Sequence, residues 1–109
     1  GVVGPCGAGK SMLVAALRQR GVRAREVAQE HSYIPHMWLR VTRPDLLIYL
    51  DVSREVAERR LRRSLPGEWW AEIGNRLAHA RAHADLVVDT DLLTEQEVVR
   101  QVLEFLRRS

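Results

Sequence analysis

The sequence predicts an α/β fold in which a parallel sheet of about four strands lies between two layers of helices, within one domain covering residues 1–109. Short apolar segments alternate with amphipathic ones along the chain, as expected for parallel strands joined by helical crossovers. Residues 46–50 form a continuous apolar run, which is typical of a strand buried on both faces. A glycine-rich turn at residues 4–9 separates the first apolar segment from the first amphipathic one.

The first part of the chain predicts two strands separated by a helix. Residues 1–3 are the end of a buried strand that runs into the glycine-rich turn. Residues 10–20 are expected to form a helix because apolar residues recur on one face, and Gly21 suits its C-terminal cap. Residues 22–28 predict a weaker strand, since the alternation of apolar and polar residues breaks at Glu26.

The middle of the chain predicts a short helix, a strand and a longer helix. Pro35 can begin the short helix and Pro44 ends it. The apolar strand that follows ends at Asp51, and Ser53 is placed to cap a helix that runs to about Arg63.

The last part of the chain predicts two helices with a strand between them. A proline–glycine turn at residues 66–67 precedes a helix at residues 68–84, and a short strand at residues 86–88 follows. The final helix begins at a capping box formed by Thr94 and Glu97. The residues expected to face the core recur at helical spacing: Trp69 or Trp70, Ile73, Leu77 and Ala80, then Val98, Val99, Val102, Leu103 and Leu106.

Composition limits the setting and the partners. Apolar residues make up 46% of the chain, yet no apolar run approaches the roughly 18 residues of a membrane span, so we expect no membrane partner. Cys6 is the only cysteine, which favours a reducing, cytoplasmic setting. The net charge of +3 suits an anionic ligand. Sixteen of the seventeen basic residues are arginine, and the one lysine, Lys10, stands at the end of the glycine-rich turn.

The glycine-rich segment has the chemistry of a phosphate-binding loop. Its residues 4–11, called the phosphate loop below, fit the pattern G-x-x-x-x-G-K-[ST] without a mismatch. Glycines let the backbone aim N–H groups at phosphate oxygens, and the positive end of the following helix adds to the attraction. Lys10 can reach the β- and γ-phosphates, and the hydroxyl of Ser11 can ligate Mg²⁺. The predicted nucleotide-binding residues are Gly4, Pro5, Cys6, Gly7, Ala8, Gly9, Lys10, Ser11 and Met12.

The strand, loop and helix around this motif resemble those of the P-loop NTPases, and the resemblance implies a nucleoside triphosphate, with ATP and Mg²⁺ as cofactors. Most of residues 44–107 is similar to the small P-loop kinases, such as the thymidylate, gluconate and shikimate kinases. This similarity implies that the lid lies at residues 54–63 and that residues 89–93 cradle the adenine. No Asn/Thr-Lys-x-Asp guanine signature is present, which favours ATP over GTP.

The sequence departs from these kinases in two ways. They usually carry a further strand and helix before the lid strand, and an Asp-Arg pair that holds magnesium or the acceptor; neither is present here. Residues 29–38 stand in that place. Four of them, His31, Tyr33, His36 and Trp38, are candidates for holding a small acceptor, which the sequence does not identify.

Two acids are candidates for holding Mg²⁺ together with Ser11. Asp51 serves the metal if its strand lies beside the first one, and it only caps the next helix if that strand is the lid strand of the kinases. Glu30 is the rival ligand, or a general base for an acceptor hydroxyl, or a solvated loop acid. Because a strand with five apolar residues is expected to be central, we predict that Asp51 is the metal acid.

Arginines of the lid helix are candidates for clamping a phosphate during transfer. Pairing with glutamates at i,i+4 accounts for Arg59 and Arg62. Arg60 and Arg63 have no such local partner, so we predict that they act with Lys10 and Glu30 in catalysis. A solvated basic face is the alternative explanation of these arginines.

Three functions are compatible with the motif. The first is a small kinase-like phosphotransferase or ATPase, and the second is a nucleotide-binding switch with little turnover, which the short chain favours. The third, RNA or polynucleotide binding, is the least favoured because the basic residues of the lid helix alternate with glutamates.

His79 and His83 lie at i,i+4 but lack a third ligand at a diagnostic spacing, so we expect surface histidines rather than a metal site.

Overall fold

The strands and helices alternate along the chain as predicted, in a computed structural model that describes residues 1–35 and 45–108. Within these ranges the strands are β1 (Val2–Val3), β2 (Ile48–Asp51) and β3 (Leu86–Asp89). The α-helices are α1 (Lys10–Gln19), α2 (Arg54–Leu61), α3 (Gly67–His83) and α4 (Glu95–Arg108). A single 3₁₀ turn covers Gln29–His31. The prediction of an α/β class is therefore confirmed.

The sheet is parallel, and β2 lies in its centre between β1 and β3. Val2 is in register with Ile48, and the pairing of β2 with β3 runs from Ile48–Leu86 to Asp51–Asp89. The continuous apolar run is thus the central strand, as its composition predicts. It also lies directly beside β1, so the carboxyl end of β2 and the phosphate loop meet at the same edge of the sheet.

The strand predicted at residues 22–28 is reduced to one isolated parallel bridge between Val2 and Glu26, so the described sheet has three strands rather than about four. Two hydrogen bonds hold the bridge: Val2 N donates to Arg25 O over 2.8 Å, and Val27 N donates to Val2 O over 2.9 Å. The segment pairs with β1 at Val2 alone, because the chain then enters the 3₁₀ turn at Gln29–His31.

Buried side chains cover both faces of the sheet, since successive strand residues point to opposite sides. On one face Ile48 and Leu50 pack against residues of α1 and α4. On the other face Val3 and Tyr49 pack against residues of α3. Helices therefore lie on both sides of the sheet, which gives the three layers that the sequence predicts.

The helix boundaries follow the predicted caps with one difference. Gly21 has φ 79° after α1, and the Thr94–Glu97 capping box precedes α4 with bonds of 2.9 and 3.2 Å. The Ser53 hydroxyl accepts a hydrogen bond from the third residue of α2. However, α2 ends at Leu61 rather than near residue 63, because Arg62 takes the left-handed conformation with φ 55°.

Two further predictions concern the remaining segments. The short helix expected between Pro35 and Pro44 lies outside the described residues, as do His36 and Trp38. Among the helices that the structure describes, none combines the length and the apolar character needed to cross a bilayer.

Candidate functional site

The phosphate loop turns sharply at the carboxyl edge of the sheet through three glycines with positive φ, Gly4 at 154°, Gly7 at 82° and Gly9 at 94°. A Cβ atom on Gly4 would lie 2.2 Å from the backbone oxygen of Leu50. A Cβ atom on Gly7 would lie 3.1 Å from Ala57 of α2. The loop therefore packs its backbone closely against the end of β2 and against α2, and at Gly4 a side chain does not fit.

The ammonium of Lys10 is buried, and all three of its N–H donors have acceptors. Nζ donates to Gly4 O over 2.7 Å, to Pro5 O over 3.3 Å and to Oε2 of Glu30. An ammonium carries three donors, so these contacts complete its hydrogen bonding. Lys10 thus joins both ends of the phosphate loop to an acid on the 3₁₀ turn.

The N-terminus of α1 follows directly from the loop. No side chain of the described residues caps it, and its first turn contains no acid. The first N–H groups of a helix have no partners within that helix and carry its positive partial charge. Residues 9–12 therefore present backbone donors of the kind that bind anions.

Glu30 is held at the loop by packing of the 3₁₀ turn against α3. The amide of Gln29 donates to Arg76 O over 3.2 Å, and Arg76 Nη1 donates to Glu30 O over 3.2 Å. Glu30 is only 2% exposed, and its Oε1 atom has no hydrogen-bond partner among residues 1–35 and 45–108. A buried carboxylate oxygen without a partner is costly, so it marks a place where a ligand would contribute a contact.

A second acid meets the loop at Ser11, where the hydroxyl Oγ donates to Oε2 of Glu26 over 2.8 Å. Glu26 is the residue that forms the isolated bridge to β1. The sequence prediction missed this contact. The available signal was the break in alternation at Glu26, where a charged residue interrupts a segment running alongside the first strand.

A small open cavity of about 290 Å³ collects these groups; its lining residues are Cys6, Gly7, Gly9, Lys10, Ser11, Met12, Glu26, Glu30 and His31. A larger cavity of about 770 Å³ opens near Gly1, Arg18 and Asp45, at the amino end of the strands. Ligands of parallel sheets bind at the carboxyl ends of the strands, so the smaller cavity is the candidate site. Its volume suits a phosphate group or a metal ion rather than a whole nucleotide.

Asp51 faces a different set of partners. Its Oδ1 atom accepts a hydrogen bond from Val52 N over 3.0 Å, and its Oδ2 atom lies 3.5 Å from Nη2 of Arg81. The described residues that line the cavity do not include Asp51. Beside it, burial raises the pKa of Tyr49 to about 12, and the carboxylate of Asp51 adds to that shift.

Arg60 reaches the phosphate loop, although through a carbonyl rather than through the cavity. Its Nη1 donates to Gly7 O and to the hydroxyl of Thr90, both over 3.0 Å, and its Nη2 donates to Thr90 O over 2.6 Å. Thr90 in turn donates from its hydroxyl to Asp51 O over 2.8 Å. Arg60 therefore ties the phosphate loop to the loop after β3, where the kinase resemblance implies the adenine.

One predicted ion pair of α2, between Glu58 and Arg62, is replaced by another. Glu58 lies 3.8 Å from Arg54 instead of pairing with Arg62, because the helix ends before Arg62. Oε2 of Glu58 accepts the N–H of Leu65, which holds the chain after the helix. Arg63 is exposed, and its backbone N–H donates to Glu58 O over 3.3 Å. The structure thus brings Arg60, but not Arg63, to the phosphate loop.

The histidines of the described residues lie in two places. His79 and His83 stack with ring centroids 4.2 Å apart, and Nδ1 of His83 lies 2.8 Å from His79 O. His31 instead lies at the cavity, where its ring, the thiol of Cys6 and the carboxylate of Glu30 have ligand atoms within 4.8 Å of one another. Tyr33 is 80% exposed, and the guanidinium of Arg76 lies 4.2 Å from its ring centroid.

Neither a comparison with models of known protein families nor a search among curated proteins gave a match. The function of the chain is therefore inferred from the geometry of the phosphate loop and its neighbours.

Proposed function

We propose that this chain has the P-loop NTPase fold, binds ATP with Mg²⁺ at the phosphate loop, and acts as a small kinase-like phosphotransferase or ATPase. The observation that carries the proposal is the position of Lys10. Its ammonium lies against two loop carbonyls, directly behind glycines with positive φ and at the uncapped start of α1. One buried cation and a set of backbone donors are the groups that hold a triphosphate.

The ion pair between Lys10 and Glu30 sets how phosphate enters. A phosphate oxygen must replace at least one of the three acceptors of Lys10, and the carboxylate of Glu30 is the acceptor on a separate segment. When Lys10 turns to phosphate, Glu30 is released beside the reacting group. Glu30 is then placed to accept a proton from an acceptor hydroxyl or from water.

The acids around Ser11 fit Mg²⁺. Ser11 Oγ already contacts Glu26, and Glu30 offers a buried oxygen without a partner among the described residues. Hydroxyl and carboxylate oxygens are the ligands that Mg²⁺ takes, usually with several waters. Mg²⁺ bound there would neutralise charge on the phosphates. Asp51, the acid predicted from the sequence, would first have to leave Arg81.

A nucleotide-binding switch with little turnover is the second candidate. Arg60 is the predicted catalytic arginine that reaches the loop, and its guanidinium is already bonded to Gly7 O and Thr90. Such a bridge would transmit loop movements to the segment after β3 instead of stabilising transition-state charge. Measured phosphate release with and without candidate acceptors separates the two functions.

Nucleotide protection of the Cys6 thiol tests the proposal. Cys6 is the only cysteine and lines the cavity, so the rate of its alkylation reports on this site. Mg·ATP is expected to slow the alkylation at least about tenfold at saturation. AMP is the control, because it lacks the phosphates that Lys10 meets. Equal alkylation rates with and without Mg·ATP would mean that the loop does not enclose phosphate.

A further inference from the structure

The fold brings three metal-ligating side chains together at one wall of the cavity. Cys6 comes from the phosphate loop, and Glu30 and His31 come from the 3₁₀ turn. Their ligand atoms, one thiol sulfur, one carboxylate oxygen and one imidazole nitrogen, all lie within 4.8 Å of one another. The Val2–Glu26 bridge brings the chain back past β1 and so sets the turn beside the loop.

An independent observation indicates that a ligand belongs here. Glu30 is 2% exposed, and its Oε1 atom is without a hydrogen-bond partner in the part of the chain that the structure describes. In the absence of nucleotide the charges of the cavity also favour a cation, because the ammonium of Lys10 faces the two carboxylates of Glu26 and Glu30.

We propose that Cys6, Glu30 and His31 form a site for Zn²⁺. A thiolate, an imidazole and a carboxylate are the three ligand types that zinc takes, and three protein ligands leave a fourth position for water. Bond lengths of about 2.0–2.3 Å place tetrahedral ligands about 3.3–3.8 Å apart. The ligand atoms must therefore approach one another by up to about 1–1.5 Å, which rotation of the side chains of the exposed His31 and the half-buried Cys6 can provide.

Lys10 is the one unfavourable charge at this site, and its contacts limit its effect. The ammonium is bonded to the carbonyls of Gly4 and Pro5 and to Oε2 of Glu30, whereas Oε1 has no hydrogen-bond partner among the described residues. The thiolate of Cys6 adds a negative charge when it binds. This site shares Glu30 with the proposed magnesium site and differs from it in Cys6 and His31, because Mg²⁺ takes oxygen ligands whereas zinc takes sulfur and nitrogen as well.

Titration of the full chain with Co²⁺, a spectroscopic substitute for Zn²⁺, tests the site in the absence of nucleotide. The expected result is a thiolate-to-cobalt charge-transfer band together with intense visible absorption typical of four-coordinate cobalt, both removed by one equivalent of Zn²⁺. The Cys6→Ser variant is expected to lose the charge-transfer band. The His31→Gln variant, at an exposed position, is expected to bind zinc at least about tenfold more weakly, since even outer partners of metal ligands cost 10–100-fold.

The His83→Gln variant is the matched control, since His83 is a described histidine that stacks on His79, outside the proposed site. It is expected to bind Co²⁺ like the wild type. The proposal is overturned if the wild type shows no thiolate band, if Cys6→Ser keeps it, or if His83→Gln rather than His31→Gln weakens zinc binding. None of these outcomes bears on ATP, because the protection of Cys6 by Mg·ATP is measured without zinc.

Discussion

Lys10 and Glu30 form a buried ion pair, with side chains only 7% and 3% exposed, between the phosphate loop and the 3₁₀ turn. The carboxylate of Glu30 thereby accepts one of the three N–H groups that Lys10 could donate to a phosphate. Removing one member of a buried pair leaves an uncompensated charge, at a cost of about 3–5 kcal/mol. If the loop binds nucleotide as proposed, the pair would link that binding to the position of the turn, so its two members have to be tested together.

The magnesium dependence of ATP binding should depend on Glu26 and Glu30 rather than on Asp51. Glu26 contacts the Ser11 hydroxyl, whereas Asp51 contacts Arg81. We expect Glu26→Gln and Glu30→Gln to weaken the effect of Mg²⁺ on ATP affinity at least about tenfold, and Asp51→Asn to retain it. Magnesium titrations at fixed ATP measure this. A loss confined to Asp51→Asn would instead support the acid that the sequence predicts.

Gly4→Ala should destabilise the fold, because the new methyl group would meet the backbone oxygen of Leu50 at 2.2 Å. We expect a loss of at least about 1–3 kcal/mol in the free energy of unfolding, measured with urea. Gly74→Ala is the matched control, since Gly74 lies in α3 with no atom within 4 Å of the added group. It should gain about 0.5–1 kcal/mol. Equal effects of the two substitutions would contradict the close approach of the loop to β2.

Arg60 should contribute more to stability than Arg63, although both were equally good candidates from the sequence. Arg60→Ala removes the bonds to Gly7 O and Thr90 and is expected to cost about 1–2 kcal/mol in urea unfolding. Arg63→Ala, at an exposed position just after the same helix, should stay within about 0.5 kcal/mol of the wild type. If both variants unfold alike, the bridge between the loops does not form.

Tyr49 should make the fold sensitive to alkali. Its burial, with the charges of Asp51 and Glu30, raises its pKa to about 12, while Arg81 opposes the shift. The fold thus favours the neutral phenol, so this contribution is complete below the unfolded pKa of about 10 and is lost as the pH rises towards 12. Across this pH window the free energy of unfolding, measured with urea, should fall more steeply for the wild type than for Tyr49→Phe. If it changed with pH in the same way for both proteins, the pKa of Tyr49 would not be raised.

Much of the fold was predictable because its signals are local. The spacing of Ile73, Leu77 and Ala80 in α3 marks a buried helix face, and these residues are buried. The continuous apolar run marks the central strand in the same way. The strand expected at residues 22–28 was wrong because strand formation depends on a neighbour, and this segment pairs with β1 at one residue before the 3₁₀ turn begins.

The site was less predictable, since its contacts join segments that are far apart in the sequence. Pairing at i,i+4 describes only local partners, so it could not show that Arg60 reaches Gly7 and Thr90. The contact of Ser11 with Glu26, and the approach of His31 to Cys6, depend on how the chain returns past β1. The sharp turn at residues 4–9 was predictable because its glycines are close together in the sequence.

Calorimetric titration of Mg·ATP into two variants tests the central claim that Lys10 holds the triphosphate. Glu30→Gln keeps Lys10, and the double variant Lys10→Met/Glu30→Gln removes it without leaving a buried carboxylate unpaired. Circular dichroism verifies that both fold, and Arg107→Met, an exposed change in α4, controls for the loss of one positive charge. We expect the double variant to bind Mg·ATP at least about tenfold more weakly than Glu30→Gln does, because one charge-assisted hydrogen bond contributes about 1.5–3 kcal/mol. Equal affinities in the two variants would contradict it.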